Sequence, residues 1–252
     1  MSVLSKRIAA VLIVAGWAQV ASAQTAEAIL EKSVTAIGGR AALQKIKSRA
    51  TSGAITLSTP VGDVEGTIEI YNAVPNKLRT VIKADLTSLG AGPFVLDQRF
   101  DGNVGYAMDS LQGNRDITGG QLDNLRNGSF PHSFLNYKDK GIAVTLSADK
   151  EKVGDRDAYV VIFEPTTGST IRQYIDAETY LPIRTVAKIF VQQLGQDVEQ
   201  ATDFLDYRDV DGVKTPFKFR ATSAIQNYTV VVAKVEHNVQ IDDALFSKPA
   251  AK

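Results

Sequence analysis

Apolar and polar residues alternate along most of the chain, in short segments that Gly, Pro, Asn and Asp residues separate. A period of two is typical of β-strands that bury one face. The most regular stretch is residues 171–221, where three strand-and-turn repeats follow one another and Asp211-Gly212 marks a tight hairpin. The pattern predicts a mainly β (α+β) protein with a curved antiparallel sheet of about eleven strands, apolar on one side and wet on the other.

Helical spacing of apolar residues occurs before the first strand. Thr25 precedes a segment whose predicted packing side consists of Ala26, Ile29, Leu30, Ser33, Val34 and Ile37. Gly38-Gly39 ends this helix, and a second short helix is predicted over residues 40–46. These helices either simply pack on the sheet or also cover a cavity.

Residues 117–140 lose the period of two, and we call this segment the flap. Its apolar residues stand at helical or irregular spacing among Gly119, Gly120, Gly128 and Pro131. Such breakers favour short, linked helical pieces over one rigid helix. We predict that the flap lies over the open face of the sheet.

The first 23 residues have the pattern of a signal peptide. Lys6 and Arg7 precede an apolar run over residues 8–17, and Ala21-Ser22-Ala23 fits small-residue cleavage before Gln24. This run is shorter than the roughly twenty residues that span a bilayer, and no later stretch could cross one. We therefore expect an exported, periplasmic protein with a single domain over residues 24–248 and a loose tail at 249–252.

Charge and cysteine content narrow the function classes. Cleavage would remove two of the 28 basic residues and none of the 28 acidic ones, which leaves a net charge of −2. This balance argues against nucleic-acid binding, which needs a concentrated positive surface. The sequence has no cysteine, so it cannot carry the lipid-modified cysteine of a bacterial lipoprotein and must fold without disulfides.

Motifs for catalysis and metal binding are weak. His132 and His237 are the only histidines and lack ligand spacing, so surface or packing roles are expected. No Gly-x-Ser-x-Gly motif occurs, and carboxylate pairs such as Asp97 and Asp101 stand beside turns, where carboxylates are usually solvated. We expect no enzyme activity, no metal and no cofactor.

The predicted sheet would bury more apolar surface than two short helices can cover, so the flap must help. If this cover is loose, the space beneath it is an apolar binding site; if it is tight, the same residues are simply core. The candidate lining residues on the sheet are Ile68, Ile70, Leu78, Ile82, Leu96, Met108, Phe204, Phe217 and Phe219. Those on the flap are Leu122, Leu125, Phe130 and Phe134.

The order of elements resembles the LolA/LolB-like superfamily of periplasmic lipoprotein carriers and outer-membrane lipoprotein-sorting proteins. The resemblance covers nearly all of the chain after residue 23 and includes the helix that ends in Ile37-Gly38-Gly39, the strand meander, the flap and four motifs. These motifs are Tyr174-Ile175-Asp176, Leu181-Pro182-Ile183-Arg184, Phe204-Leu205-Asp206-Tyr207 and Asp211-Gly212-Val213-Lys214-Thr215-Pro216. It implies an unclosed half-barrel with short helices over its concave face, and a hollow that receives acyl chains. It also implies an arginine that helps to latch the lid, for which the candidates are Arg49, Arg79 and Arg99.

The leading hypothesis is a periplasmic carrier or binder of lipid or lipidated protein, acting through an apolar cavity in outer-membrane lipoprotein sorting. Its partners would be lipid or lipoprotein acyl chains and an envelope protein, with no nucleic acid and no transmembrane segment after signal cleavage. The alternative is an envelope interaction or sensing protein of the same fold without a transported ligand. A hydrolase of an unfamiliar kind is a third hypothesis.

Overall fold

A computed structural model of the protein describes residues 24–191 and 195–249. The predicted signal peptide, a strand break predicted to begin at Leu194, and residues 250–252 of the predicted tail lie outside these ranges.

The helices are α1 Ala26–Ile37, α2 Arg40–Lys45, α3 Gly119–Asn127 and α4 Ser133–Asn136, with single 3-10 turns at Thr87–Leu89 and Asp243–Leu245. The strands are β1 Ser48–Thr59, β2 Gly62–Ala73, β3 Lys77–Asp85, β4 Pro93–Phe100, β5 Gly105–Asp109, β6 Arg115–Ile117, β7 Ala143–Leu146, β8 Glu151–Val153, β9 Arg156–Glu164, β10 Ile171–Asp176, β11 Pro182–Val191, β12 Gln196–Val210, β13 Val213–Ser223 and β14 Asn227–His237.

All fourteen of these strands belong to one antiparallel sheet. They follow the order β6-β5-β4-β3-β2-β1-β14-β13-β12-β11-β10-β9-β7, and β8 pairs with β9. The first and last strands are therefore neighbours in the middle, while β6 and β7 end the path, and the half-barrel stays unclosed. This confirms the predicted fold class. The strand count exceeds the expected number of about eleven, and two of the additional strands, β6 and β8, are only three residues long, too short for alternation to show in the sequence.

Helix α1 packs with the side that the sequence predicts. Its six buried residues are the six named from helical spacing, and the Thr25 side-chain oxygen accepts a hydrogen bond from the Ala28 N–H at 3.2 Å, as an N-cap does. Gly38 follows with a φ of 141°. A Cβ at this position would clash with the carbonyl oxygen of Gly212, so glycine lets α1 dock closely on the β12–β13 hairpin.

The flap connects the two ends of the sheet, because the chain leaves β6, passes through α3 and α4, and enters β7. The short linked helices that its breakers predict are present. Arg126 Nη2 donates to the Asn103 carbonyl at 2.9 Å beside β5, and Asn127 Nδ2 donates to the Thr167 carbonyl at 2.6 Å beyond β9. Side chains of α3 thus bind both halves of the sheet across its open side.

The main apolar core lies where α1, the flap and the inner face of the sheet meet. Phe134 of α4 stacks on Phe163 of β9 with ring centres 5.8 Å apart. Both rings belong to a buried cluster that includes Leu30 and Val213. This cluster fills part of the hollow.

The outer face of the sheet is less exposed to solvent than the sequence predicts. Arg99 Nη1 donates to the Ser247 carbonyl at 3.1 Å, and Phe246 is buried, so the C-terminal segment lies across β4. Val81 is buried on this face as well. Strand β9 is buried on both faces, since the adjacent residues Val160 and Val161 are both buried.

Candidate functional site

A cavity of about 400 Å³ lies between the inner face of the sheet, the two N-terminal helices and the flap. Phe204 and Phe219 form part of its floor, as direct cross-strand neighbours with ring centres 5.9 Å apart. The other lining residues are Ile37, Leu43, Arg49, Thr51, Ile70, Asn72, His132, Ser133, Ile171, Gln173, Pro182, Thr185, Tyr207, Val213, Lys214, Thr215, Pro216 and Val235. The cavity therefore combines an apolar floor with polar groups.

The strand register places these polar groups. Directly opposed residues of an antiparallel pair project from the same face of the sheet. Arg49 of β1 is opposed to His237 of β14 and to Asn72 of β2. In the next inward-facing row, Thr51 is opposed to Ile70. A polar row thus borders the apolar part of the inner face.

Arg49 is a half-buried cation, and no carboxylate among the described residues pairs with it. Its Nε is enclosed and has no hydrogen-bond partner among the residues that the structure describes. The guanidinium carbon lies 5.2 Å from the centre of the Phe130 ring. Burial lowers the pKa of Arg49 to about 10, because the charged form loses solvation there. Arg49 still carries its charge at neutral pH, and it is one of the residues that line the cavity.

His132 lines the cavity from the flap. Its Nδ1 accepts a hydrogen bond from the Phe134 N–H at 3.3 Å, which leaves the proton of the neutral ring on Nε2. Burial lowers the pKa of His132 to about 4, and the charge of Arg49 adds to this shift. His132 is therefore a neutral donor at physiological pH.

His237 is enclosed beside Arg49 and pairs through Nδ1 with Asp211 Oδ2 at 3.1 Å. Burial and the charge of Arg49 lower its pKa, against the opposing effect of Asp211. The packing role expected from the sequence fits His237. It also fits His132, whose ring packs edge-on against Phe134 with ring centres 4.4 Å apart. His132 lines the cavity as well, and its sequence context did not predict this.

The charged side chains that line the cavity are both cationic. They are Arg49 and Lys214, and among the described residues no Asp or Glu lines it. Lys214 is half-exposed, with Nζ 3.7 Å from Asp209 Oδ2. The cavity therefore presents positive charge beside an apolar floor.

A second, smaller cavity of about 210 Å³ lies under α3. Leu78, Leu125 and Phe130 line it, and Asn72 lines both cavities. The two spaces are therefore adjacent, with Phe130 and Asn72 at their boundary.

The structure places the predicted lining residues in several different surroundings. Ile70, Phe204 and Phe219 line the main cavity, and Leu78, Leu125 and Phe130 line the second. A cluster on the inner face contains Ile68, Ile82 and Phe217, and Leu96 opposes Ile82 on that face. Phe134 is core, and Leu122 is half-buried on α3.

Met108 lies on the other face of the sheet. It is opposed to Asp97, whose carboxylate binds Arg79 and Arg99 on the outer side. The sequence misplaced Met108 because β5 offers apolar residues at both parities, with the small Gly105 and Ala107 facing inward and the larger Tyr106 and Met108 outward.

The same carboxylate separates the three arginine candidates. Asp97 Oδ2 accepts from Arg79 Nη2 at 2.7 Å and from Arg99 Nη2 at 2.8 Å, so both of these arginines are engaged on the outer face. Arg49 is the candidate that contacts the flap, through Phe130.

The polar lining residues escaped sequence analysis. Gln173 and Thr185 are directly opposed on β10 and β11, and Thr185 Oγ1 donates to Gln173 Oε1 at 2.8 Å. Strand alternation places Gln173 on the same face as Ile171 and Ile175, but only the tertiary fold shows that this face borders a cavity. Clusters of three or more residues able to hold a metal ion are absent from the described residues. Within the same ranges, no helix combines the length and apolar character needed to cross a bilayer.

No protein-family model matches this sequence, and no curated protein matches it. Solved structures match its fold. A LolA superfamily protein from Nitrosomonas europaea is similar over 90% of this chain and 99% of its own, with a TM-score of 0.54 and 14% identity. A DUF1329 family protein from Desulfovibrio piger is similar over 88% of this chain and 97% of its own, with a TM-score of 0.56 and 13% identity. A proposed outer membrane lipoprotein-sorting protein domain from Vibrio parahaemolyticus is similar over 88% of this chain and 97% of its own, with a TM-score of 0.53 and 13% identity. The chain has a LolA-like fold.

Proposed function

We propose that this chain, with its LolA-like fold, is a periplasmic protein that carries or binds a lipid or lipidated protein in outer-membrane lipoprotein sorting. The cavity between the Phe204–Phe219 floor and the flap carries this proposal. Its volume of about 400 Å³ falls within the roughly 300–1,000 Å³ of ligand pockets. The proposal assigns no catalytic residue, metal or cofactor.

The cover of the cavity supports a binding role. α3 is held to the sheet largely by polar side chains, including Asn124, whose Oδ1 accepts from the Ser169 N–H at 2.7 Å. Such contacts exchange with water at little net cost. The flap can therefore release one half of the sheet without breaking the Phe134–Phe163 core, which would admit a ligand to the floor.

The similarity to a proposed outer membrane lipoprotein-sorting domain supports the proposed pathway, and the predicted signal peptide supports the periplasmic location. The alternative, an envelope interaction or sensing protein, draws on the buried cluster around Leu30 and Phe134, which fills part of the hollow. The molecules that co-purify with the protein distinguish the carrier from the sensing protein.

Native mass spectrometry of the protein purified from its own periplasm tests the proposal. We expect a co-purifying lipid or acylated protein, and its loss in Phe219→Asp, which places a charge on the floor. Val231→Asp is the matched control, because Val231 lies on the adjacent strand, where it is 51% exposed. A protein that binds a partner but takes up no lipid, even from vesicles, would support the sensing role instead.

A further inference from the structure

We propose that the cavity binds an acidic amphiphile, with its apolar chain on the Phe204–Phe219 floor and its carboxylate or phosphate head on Arg49. This inference names a ligand class for the proposed function and rests on it.

The unpartnered donors of Arg49 are the first argument. A guanidinium has five N–H donors, and no protein oxygen accepts from that of Arg49 within the described residues. Its Nε is fully enclosed. The contact with the Phe130 ring compensates part of the charge but supplies no oxygen acceptor. Buried charges are normally paired, and the other inward-facing groups beside Arg49 are neutral. An anionic ligand would complete this pairing.

The charge of the lining is the second argument. Arg49 and Lys214 both line the cavity, without an acidic residue among the described lining residues. By contrast, the outer-face arginines Arg79 and Arg99 share the carboxylate of Asp97. The outer-face arginines are thus paired with a carboxylate of the protein itself. Arg49 in the cavity has no such partner among the described residues, and a ligand could supply the negative charge.

The neighbours of Arg49 suit an oxyanion head. Asn72 is directly opposed to Arg49, and its side-chain amide can add a neutral donor. Arg49 also shares the inner face with Thr51 and Ile70 in the adjacent row, which leads toward the apolar floor. One ligand could therefore place its head at Arg49 and its chain over Phe204 and Phe219.

Equilibrium dialysis tests the inference with three probes. The sample is the protein in the form that its own host produces, after bound lipid has been removed. Palmitate has a carboxylate head, dipalmitoyl phosphatidate has a phosphate head, and methyl palmitate has the same chain as palmitate without the charge. We expect at least one acidic probe to bind about 10- to 100-fold more tightly than the ester, the range of a charge-assisted hydrogen bond. Preference for palmitate would indicate a free fatty acid, and preference for phosphatidate a phospholipid.

Arg49→Met keeps an apolar side chain against Phe130 and should abolish the preference for acid while leaving the ester affinity unchanged. Arg172→Met is the matched control, since Arg172 forms an exposed ion pair with Glu199, and it should keep the preference. Arg49→Lys retains charge with fewer donors and should give an intermediate ratio. If Arg49→Met does not fold, the wild-type protein and Arg49→Lys still test the inference. Their affinities for the acidic probe relative to methyl palmitate are then compared.

Equal affinity for acid and ester in the wild-type protein would overturn the inference but leave the proposed function standing. A preference for acid that survives in Arg49→Met would also overturn it. Failure of all three probes to bind would count against the proposed function itself.

Discussion

The guanidinium carbon of Arg49 lies 5.2 Å from the centre of the Phe130 ring, so strand β1 contacts the flap at the boundary between the two cavities. Arg49 lines the larger cavity and Phe130 the smaller. Because the flap also carries His132 and Phe134 beside this point, the contact connects the polar end of the site to its cover.

Replacing Phe130 with Leu should weaken this cover. The substitution keeps an apolar side chain but removes three carbon atoms and the ring face that the guanidinium contacts, so we expect a loss of about 1–2 kcal/mol in unfolding free energy. Urea unfolding measures it, and hydrogen exchange should rise in residues 117–140. Phe190→Leu is the control, because Phe190 is 37% exposed, and it should change stability by less than about 0.5 kcal/mol. Equal effects of the two substitutions would contradict a specific role for Phe130.

Replacing Gly38 with Ala should undock α1 from the β12–β13 hairpin. The new Cβ would clash with the carbonyl of Gly212, whereas a Cβ at Gly39 would meet nothing within 4 Å. Both glycines have positive φ in regions that other residues rarely adopt, so each substitution costs roughly 1–3 kcal/mol of backbone strain, and the clash adds to this cost only at Gly38. Thermal unfolding of the two variants should show a clearly lower midpoint for Gly38→Ala. Indistinguishable midpoints would mean that the close contact is unimportant.

Removing the Asn124 side chain should loosen the flap without unfolding the sheet. Asn124 exchanges two hydrogen bonds with Ser169, at 3.1 Å and 2.7 Å, and each contributes about 1 kcal/mol. Asn124→Ala should increase hydrogen exchange across α3 and leave that of β1 and β14 unchanged. Asp123→Ala, at a side chain with no hydrogen bond among the described residues, serves as the control. Uniform exchange changes throughout the protein would argue against local release.

Asp97→Asn should reduce stability most at neutral pH. Burial alone would raise the pKa of Asp97, but hydrogen bonds from Arg79 and Arg99 outweigh it, and the net shift is downward. A carboxylate with a lowered pKa stabilises the fold above its unfolded value, near 3.9, and this stabilisation is lost as the pH falls through its folded pKa. The difference from wild type should be about 2 kcal/mol at pH near 7 and shrink below about pH 4. Asp63→Asn, at an exposed position, should show no such dependence. A pH-independent difference would contradict this account.

His132 should make the protein less stable as the pH falls from about 6.5 toward about 4. In this window the unfolded chain binds a proton that the folded protein does not, and the loss approaches 1.4 kcal/mol per pH unit. His132→Asn keeps an acceptor for the Phe134 N–H but does not titrate, so it should flatten this slope. Proton NMR on the wild-type protein should show a midpoint near 4 for His132, and a midpoint near 6.5 would contradict its burial beside Arg49.

The sequence was sufficient for the scaffold because strand alternation and helix periodicity are local signals. The buried side of α1, the hairpin at Asp211-Gly212 and the flap's broken helices all follow from neighbouring residues. Strands β6 and β8 were missed because three residues cannot show a period of two.

The site was harder to predict because it depends on what lies opposite each residue. Phe217 and Phe219 stand two apart on one face of β13, yet Phe217 is buried in a cluster and Phe219 lines the cavity. No property of either side chain distinguishes them. Likewise, strand alternation places Gln173 beside Ile171 and Ile175 on one face, but it cannot show that the helices and flap leave a cavity over that face.

The pairing of β1 with β14 means that the sheet is completed last at its centre. β1 precedes every other described strand in the chain and β14 follows them, so in a chain that emerges N-terminus first one edge of β1 lacks its partner until almost the whole chain is present. Contacts between such distant segments form slowly, and an unpaired strand edge recruits strands from other molecules. An incomplete chain therefore exposes an aggregation-prone edge in the centre of its future sheet, which a holding chaperone would have to cover until the last strand arrives.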